Sequence, residues 1–258
     1  MNGPLGVNEF AQTGQTVAKN LLSLGTVLKL RKSCWTYYCA YWKSRLEFEG
    51  EAITAMQVIY PLADAPEELG VVFNSSKFQR KVIELTGWKQ FFLFDYFLFV
   101  KPPGSERTPW HRDGDSLPFN GETLTVWIPL TPLKEGLSYA IGSGQITSEI
   151  PDFDDDQQFM CYISTKNMPI KTNFDLKLGD AQFHDKYIWH SGPANVLDYP
   201  RLAVSLGLVS GDAIVTVDPP GFKKINLQKQ MRKEKILKNF LKSAAEGSRV
   251  SDVKNCHK

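Results

Sequence analysis

The feature that most constrains this chain is the run Phe91-Phe92-Leu93-Phe94-Asp95-Tyr96-Phe97-Leu98-Phe99-Val100, stopped by Pro102-Pro103-Gly104. A stretch so rich in aromatic and β-branched side chains, closed by two prolines, reads as a buried strand. The region after it keeps the same character. Glu122 to Leu130 alternates, with Leu124, Val126 and Ile128 on one face and Thr123, Thr125 and Trp127 on the other. Leu137 to Ile141, Ala181 to His184, Ile188 to His190 and Leu202 to Val209 read as further short strands between Gly, Pro and Asp turns. About seven short strands without a repeated strand–helix–strand pattern imply an antiparallel sandwich or barrel.

Helical patterns flank this core. Leu21, Leu22, Leu24, Val27, Leu28 and Leu30 recur at near-helical spacing, and Lys77 to Leu85 reads as a short helix closed by Gly87. After Pro219-Pro220-Gly221 the chain becomes helical again. The expected organisation is a single domain over 1–258. Residues 1–90 form a mostly helical support, 91–215 the barrel core and 222–258 a basic C-terminal helix. A chain of 258 residues is long enough to bury a core without a disulfide or metal staple.

Charge is unevenly spread. Residues 223–258 carry 11 Lys/Arg against 3 Asp/Glu, whereas residues 1–222 carry 19 against 25. The tail reads as a helix docked by Ile225, Met231, Ile236, Leu237, Phe240 and Leu241, with Lys229, Arg232, Lys233, Lys235, Lys238 and Lys242 in solvent. The alternative is an electrostatic arm for an anionic partner. Cys34, Cys39, Cys161 and Cys256 fit no zinc spacing and are expected as free thiols. No apolar run approaches the roughly 18 residues of a membrane helix. The expectation is a cytoplasmic protein with a small-molecule substrate and no nucleic-acid or membrane partner; the sequence leaves the oligomeric state open.

Chemistry concentrates in two places. In Trp110-His111-Arg112-Asp113-Gly114, His111 and Asp113 are two residues apart, so an extended backbone points both to one face. A distant histidine would complete two imidazoles and one carboxylate, the facial set with open positions that marks non-haem Fe(II) oxygenases. His190, at the end of a strand in Tyr187-Ile188-Trp189-His190-Ser191-Gly192, is the candidate. Arg201 follows by 11 residues and opens the next strand, where its planar fork suits one carboxylate of a dicarboxylate co-substrate. Taken alone, His111 and Asp113 could equally form a surface turn; the conjunction with His190 and Arg201 is more specific. Tyr96, Phe97, Phe99 and Trp110 are proposed as an aromatic, water-excluding lining. His184, six residues before His190, is expected as a buried, hydrogen-bonded histidine beside the substrate pocket.

From about residue 91 to 212 the chain resembles the phytanoyl-CoA dioxygenase family of Fe(II)/2-oxoglutarate-dependent oxygenases. The matching stretches are FLFVKPPGSERTPWHRDG (97–114), LTVWIPLTPL (124–133), LSYAIGSG (137–144), LGDAQFHDKYIWHSGPAN (178–195) and YPRLAVSLGLV (199–209). The resemblance implies a mainly β fold with flanking helices, a double-stranded β-helix of the jelly-roll, cupin-like kind. It implies His111, Asp113 and His190 as iron ligands, Arg201 as the partner of the 2-oxoglutarate C5 carboxylate, and Trp127, Thr108 and Lys101 near the co-substrate. Fe(II) is the implied cofactor, with 2-oxoglutarate and O₂ as co-substrates.

The implied reaction is oxidation of a C–H bond, hydroxylation by default, with release of succinate and CO₂. Desaturation, cyclisation and epoxidation use the same triad. Halogenating relatives vacate the carboxylate position, and Asp113 argues against that. A 2-oxoglutarate-independent cupin-type metalloenzyme and a non-catalytic binding module are the competing classes. Gly144 stands where relatives often carry a histidine and Gly192 where a serine is sometimes found, and the first 90 residues lack the family's usual opening pattern.

Overall fold

The computed structural model describes residues 5–49, 57–59, 66–114, 117–146, 156–216, 227–242 and 244–255. The chain opens with helix α1 (Leu5–Thr13), strand β1 (Gln15–Ala18), the long helix α2 (Leu24–Glu49), β2 (Gln57–Ile59) and the helix pair α3 (Glu67–Asn74) and α4 (Ser76–Thr86). The aromatic run forms β3 (Phe91–Lys101). Then come β4 (Phe119–Asn120), β5 (Thr123–Pro129), β6 (Leu133–Ala140), α5 (Asp156–Thr165), β7 (Ile170–Leu176), β8 (Ala181–Asp185), β9 (His190–Ser191), β10 (Arg201–Ser210) and β11 (Ile214–Val215). The C-terminal segment holds α6 (Leu227–Lys235), a π-helical turn (Ile236–Phe240) and α7 (Val250–Asn255).

A six-stranded sheet in the order β1-β8-β5-β10-β3-β2 faces a three-stranded sheet in the order β7-β6-β9, and every pairing is antiparallel. This is a double-stranded β-helix of the cupin type. The alternation expected for 122–130 is realised. Leu124, Val126 and Ile128 turn outward with Leu98, Val100, Val204 and Leu206, and pack against Val27, Leu30, Phe78 and Val82 of α2 and α4. Each such buried aliphatic side chain contributes about 1.5–3 kcal/mol. The opposite face of the same strands, with Thr125 and Trp127, lines the barrel interior. Helix α4 ends as its sequence predicts, with Gly87 in the left-handed region at φ 71°; at its start Ser75 accepts the Phe78 N–H through its hydroxyl.

Three expectations are corrected. The barrel does not begin at residue 91, because β1 and β2 come from the first 90 residues and form both edges of the large sheet. Strand β7, exposed along much of its length, lacked a continuous apolar face and was not foreseen. The C-terminal segment is not one helix with a solvated basic face: α6 and α7 are separate, Lys233 is buried, and Arg232 points into the barrel. Ile225, Cys256 and His257 lie outside the described residues. Cys34 is buried, which pushes its thiol up to about 12, while Cys39 and Cys161 are exposed and free. No helix among the described residues is long and apolar enough to cross a membrane.

Candidate metal centre and anion pocket

The two sheets place the sequence-predicted ligands together. His111 and His190 sit directly opposite each other in an isolated antiparallel bridge. Each backbone N–H donates to the other's carbonyl, at 3.0 and 2.9 Å, and the ring centroids are 4.3 Å apart. The Nδ1 of His111 lies 2.8 Å from Pro109 O and that of His190 lies 3.1 Å from Ile188 O. A carbonyl can only accept, so each Nδ1 carries the proton and each Nε2 presents a lone pair. One ligand atom from each of His111, Asp113 and His190 falls within 4.8 Å of the others. Gly114 lets this turn approach Lys186 and Tyr187, since a Cβ there would meet the Tyr187 ring at 2.7 Å.

The electrostatics suit a cation. Burial works against the charge of Asp113, yet hydrogen bonding to His184 and the positive charge of Arg232 hold its carboxyl well below the usual carboxylate range. Burial, reinforced by His184, pushes His190 down to about 4, so its imidazole is neutral, the form that coordinates. Thr125 donates to Asp113 Oδ2 at 2.8 Å, and the facing His184 Nε2 stands 3.5 Å from the same oxygen. His184 is buried, with Nδ1 3.2 Å from the Tyr139 hydroxyl. The donor set therefore fits a divalent metal: two neutral imidazoles with free Nε2 atoms and one oriented carboxylate.

A second cluster occupies the other end of the cavity. Arg201 and Lys101 are cross-strand partners on β10 and β3. Arg201 donates to the carbonyls of Pro193 and Ala194 at 2.8 and 3.2 Å, and Lys101 to those of Glu106 and Pro193 at 2.9 and 2.8 Å. Asn195 fixes the connecting loop by donating through Nδ2 to Lys101 O at 2.8 Å. Burial, with Arg201 alongside, pushes Lys101 down to about 7; burial likewise lowers Arg201 to about 10. Two adjacent buried cations held by neutral carbonyls form a pocket for an anion.

Of the remaining predicted residues, Thr108, Trp127, Phe99 and His184 line the cavity between these clusters, as does Phe97, packed edge-to-face on Phe99 at 5.0 Å. Tyr96 and Trp110 do not. Tyr96 lies on the outer face of β3 against the main core, one residue out of phase with Phe97. Trp110 stacks on Phe159 of α5 at 5.0 Å, beside Trp189. Gly192 lies against Thr108, whose hydroxyl would be 3.1 Å from an added Cβ. Sequence reasoning missed Thr125, Asp95 and Arg232. Thr125 was findable from its phase with Trp127, and Asp95 from being the only acid in an apolar strand. A separate apolar groove of about 460 Å³ lies outside the barrel between Leu28, Trp35 and Tyr199; neither histidine nor acid lines it.

Comparison with known proteins agrees with this geometry. The chain covers 95% of itself and 92% of the non-heme alpha ketoglutarate dependent carbocyclase SnoK from nogalamycin biosynthesis, with 21% identity and a TM-score of 0.64. The epimerase SnoN from the same biosynthesis aligns over 86% of this chain and 91% of its own, with 22% identity and a TM-score of 0.61. The non-heme monooxygenase ThoJ aligns over 90% and 99%, with 16% identity and a TM-score of 0.64. No curated protein sequence matches. The phytanoyl-CoA dioxygenase (PhyH) family model matches residues 10–203, so the family's domain extends well upstream of residue 91. The chain thus belongs to the phytanoyl-CoA dioxygenase family, and with it to the Fe(II)- and 2-oxoglutarate-dependent oxygenases.

Proposed function

We propose that the chain oxidises a C–H bond of a small molecule, with hydroxylation as the default outcome, and that His111, Asp113 and His190 hold the iron. The observation that carries this reading is the pair of oriented Nε2 atoms facing one half-buried carboxylate. Bound Fe(II) would supply dioxygen activation coupled to oxidative decarboxylation of 2-oxoglutarate. The chain's own residues do the rest. Arg201 and Lys101 bind the far carboxylate of the co-substrate, Trp127, Thr108 and Phe99 form the walls between the anion pocket and the metal, and the aromatic rings exclude water. The single domain over 1–258 is part of the same proposal. Among the structural neighbours are an epimerase and a carbocyclase, so the same site also supports epimerisation or ring closure as a finer reaction.

The test is an anaerobic Fe(II) titration followed by succinate measurement over a substrate panel. Wild type should bind about one equivalent, and His111→Ala, Asp113→Ala and His190→Ala should each lose both metal and turnover. Near-normal turnover in Asp113→Ala would refute the ligand assignment. Metal-dependent turnover that consumes no 2-oxoglutarate would instead favour a cupin-type enzyme.

A further inference from the structure

The family match ends at residue 203, yet α6 lies beyond it and sends a side chain into the metal centre. Arg232 donates through Nε to Asp95 Oδ2 at 2.7 Å, and its Nη1 lies 3.7 Å from Asp113 Oδ1. Its guanidinium carbon stands 5.4 Å from the centre of the Phe97 ring. The Asp95 side chain has no solvent exposure. A buried carboxylate without a partner is costly, so Arg232 and Asp95 need each other.

The docking point is made by a β-bulge. Asp95 pairs with Gly207, but the next pair is Leu93 with Leu208, which leaves Phe94 as the extra residue. A Cβ on Gly207 would meet the Phe94 ring at 2.8 Å, so glycine makes the room. Phe94 then packs on Phe240 at 6.2 Å while Asp95 takes Arg232. On the other side, Leu241 N–H donates to Ile236 O at 3.0 Å, the i→i+5 bond of a π turn. In an ideal α-helix Leu241 would lie about 180° from Arg232. Through the π turn it is buried with Ile236 and Phe240 in one cluster. Both chains of contact therefore serve one placement: the guanidinium between Asp95 and Asp113.

We propose that Arg232 is a positioning residue of the active site: clamped by Asp95, it fixes Asp113 and makes the docked C-terminal helix the closing wall of the metal centre. Asp113 is then held on both oxygens, by Thr125 at one and Arg232 at the other. The role of Asp113 as a ligand rests on the proposed function above; the docking itself does not.

The experiment separates the two. Amide hydrogen exchange on the metal-free full chain compares Arg232→Ala, Arg232→Lys and Asp95→Asn with Phe240→Ala, which undocks the helix through its apolar contacts. Arg232→Ala and Asp95→Asn should each speed exchange across 227–240 by roughly tenfold or more, with β10 still protected and the lysine variant between. Exchange within about twofold of wild type would overturn the proposal, because the helix would then dock on apolar contacts alone. The second readout is release of bound Fe(II) to a chelator, which Arg232→Ala should accelerate by a similar factor. Faster exchange with unchanged release would leave Arg232 a staple of the helix and overturn the positioning role. Failure of the wild type to bind Fe(II) would remove the iron reading, and the exchange result would still decide the latch.

Discussion

The two ends of the barrel cavity handle buried charge in opposite ways. At one end Lys101 and Arg201 stand side by side on backbone carbonyls, which are neutral. At the other, Asp95 and Asp113 share Arg232, with Thr125 and two histidines against Asp113. At the cationic end the chain adds only the charge of Glu135, itself paired with Arg107, so a bound anion is still favoured there, whereas the acidic end is largely balanced by the chain itself. The difference teaches where binding energy enters. An anion entering the first pocket gains two charge-assisted partners whose desolvation folding has already paid. A metal at the second gains ligands that are already oriented.

The largest effect expected from this comparison follows removal of Arg201. Arg201→Ala deletes a charge-assisted pair worth about 2–4 kcal/mol to a bound carboxylate. Apparent 2-oxoglutarate affinity should fall roughly 30- to 1000-fold, as measured by calorimetry or KM. Arg201→Lys should restore only part of it, because an ammonium lacks the planar fork. An unchanged KM in Arg201→Ala would break the comparison outright.

A smaller, pH-dependent effect should separate Lys101 from Arg201. Burial and Arg201 push Lys101 down to about 7, so in the empty pocket it loses its charge as pH rises through 7. A bound carboxylate favours the charged form, so 2-oxoglutarate affinity should weaken above pH 7, at most about tenfold per pH unit. Lys101→Met should bind more weakly at pH 6 and show a flatter profile. The same shift has a stability consequence of definite sign. Between the unfolded value near 10.5 and the folded value near 7, the native state binds fewer protons, so this lysine's contribution to stability falls as pH falls across that window. A pH-independent affinity in the wild type would mean that Arg201 alone makes the cationic end.

The cationic end and the triad were legible in the sequence, and the balanced acidic end was not. His111 and Asp113, two residues apart, are turned by an extended backbone onto a shared face, and His190 and Arg201 were found by their company at predicted strand boundaries. Lys101 came only with the family resemblance. Tyr96 shows the limit of composition: it is as aromatic as Phe97, but the period of two places it on the outer face of β3. Trp110 precedes the turn, where no period applies, and packs on α5 instead. Asp95 and Arg232 were illegible for a different reason. Their meeting depends on a bulge at Phe94 and a π turn at Ile236–Phe240, each of which breaks the regular period that pattern reading uses. The tail's basic character suggested solvent, and in Arg232 it records an interior partner.

The smallest effect tests whether that interior role is specific to Arg232 or shared by the segment's positive charge. Lys238 is exposed, six residues further along, on the π turn that Ile236 and Phe240 anchor. An exposed lysine whose stem packs on nothing essential contributes little, and its field is screened over about 8 Å at physiological salt against roughly 30 Å at 10 mM. Lys238→Ala should therefore shift stability by no more than about 0.5 kcal/mol and leave turnover unchanged at both salt concentrations. Arg232→Ala should disturb the metal centre at either concentration, because its pairs with Asp95 and Asp113 are largely shielded from water. If Lys238→Ala instead weakened turnover at 10 mM salt and recovered at 150 mM, the acidic end would be balanced by the field of the whole segment. The contrast between a cavity end completed by a ligand and one completed by a single side chain would then fail.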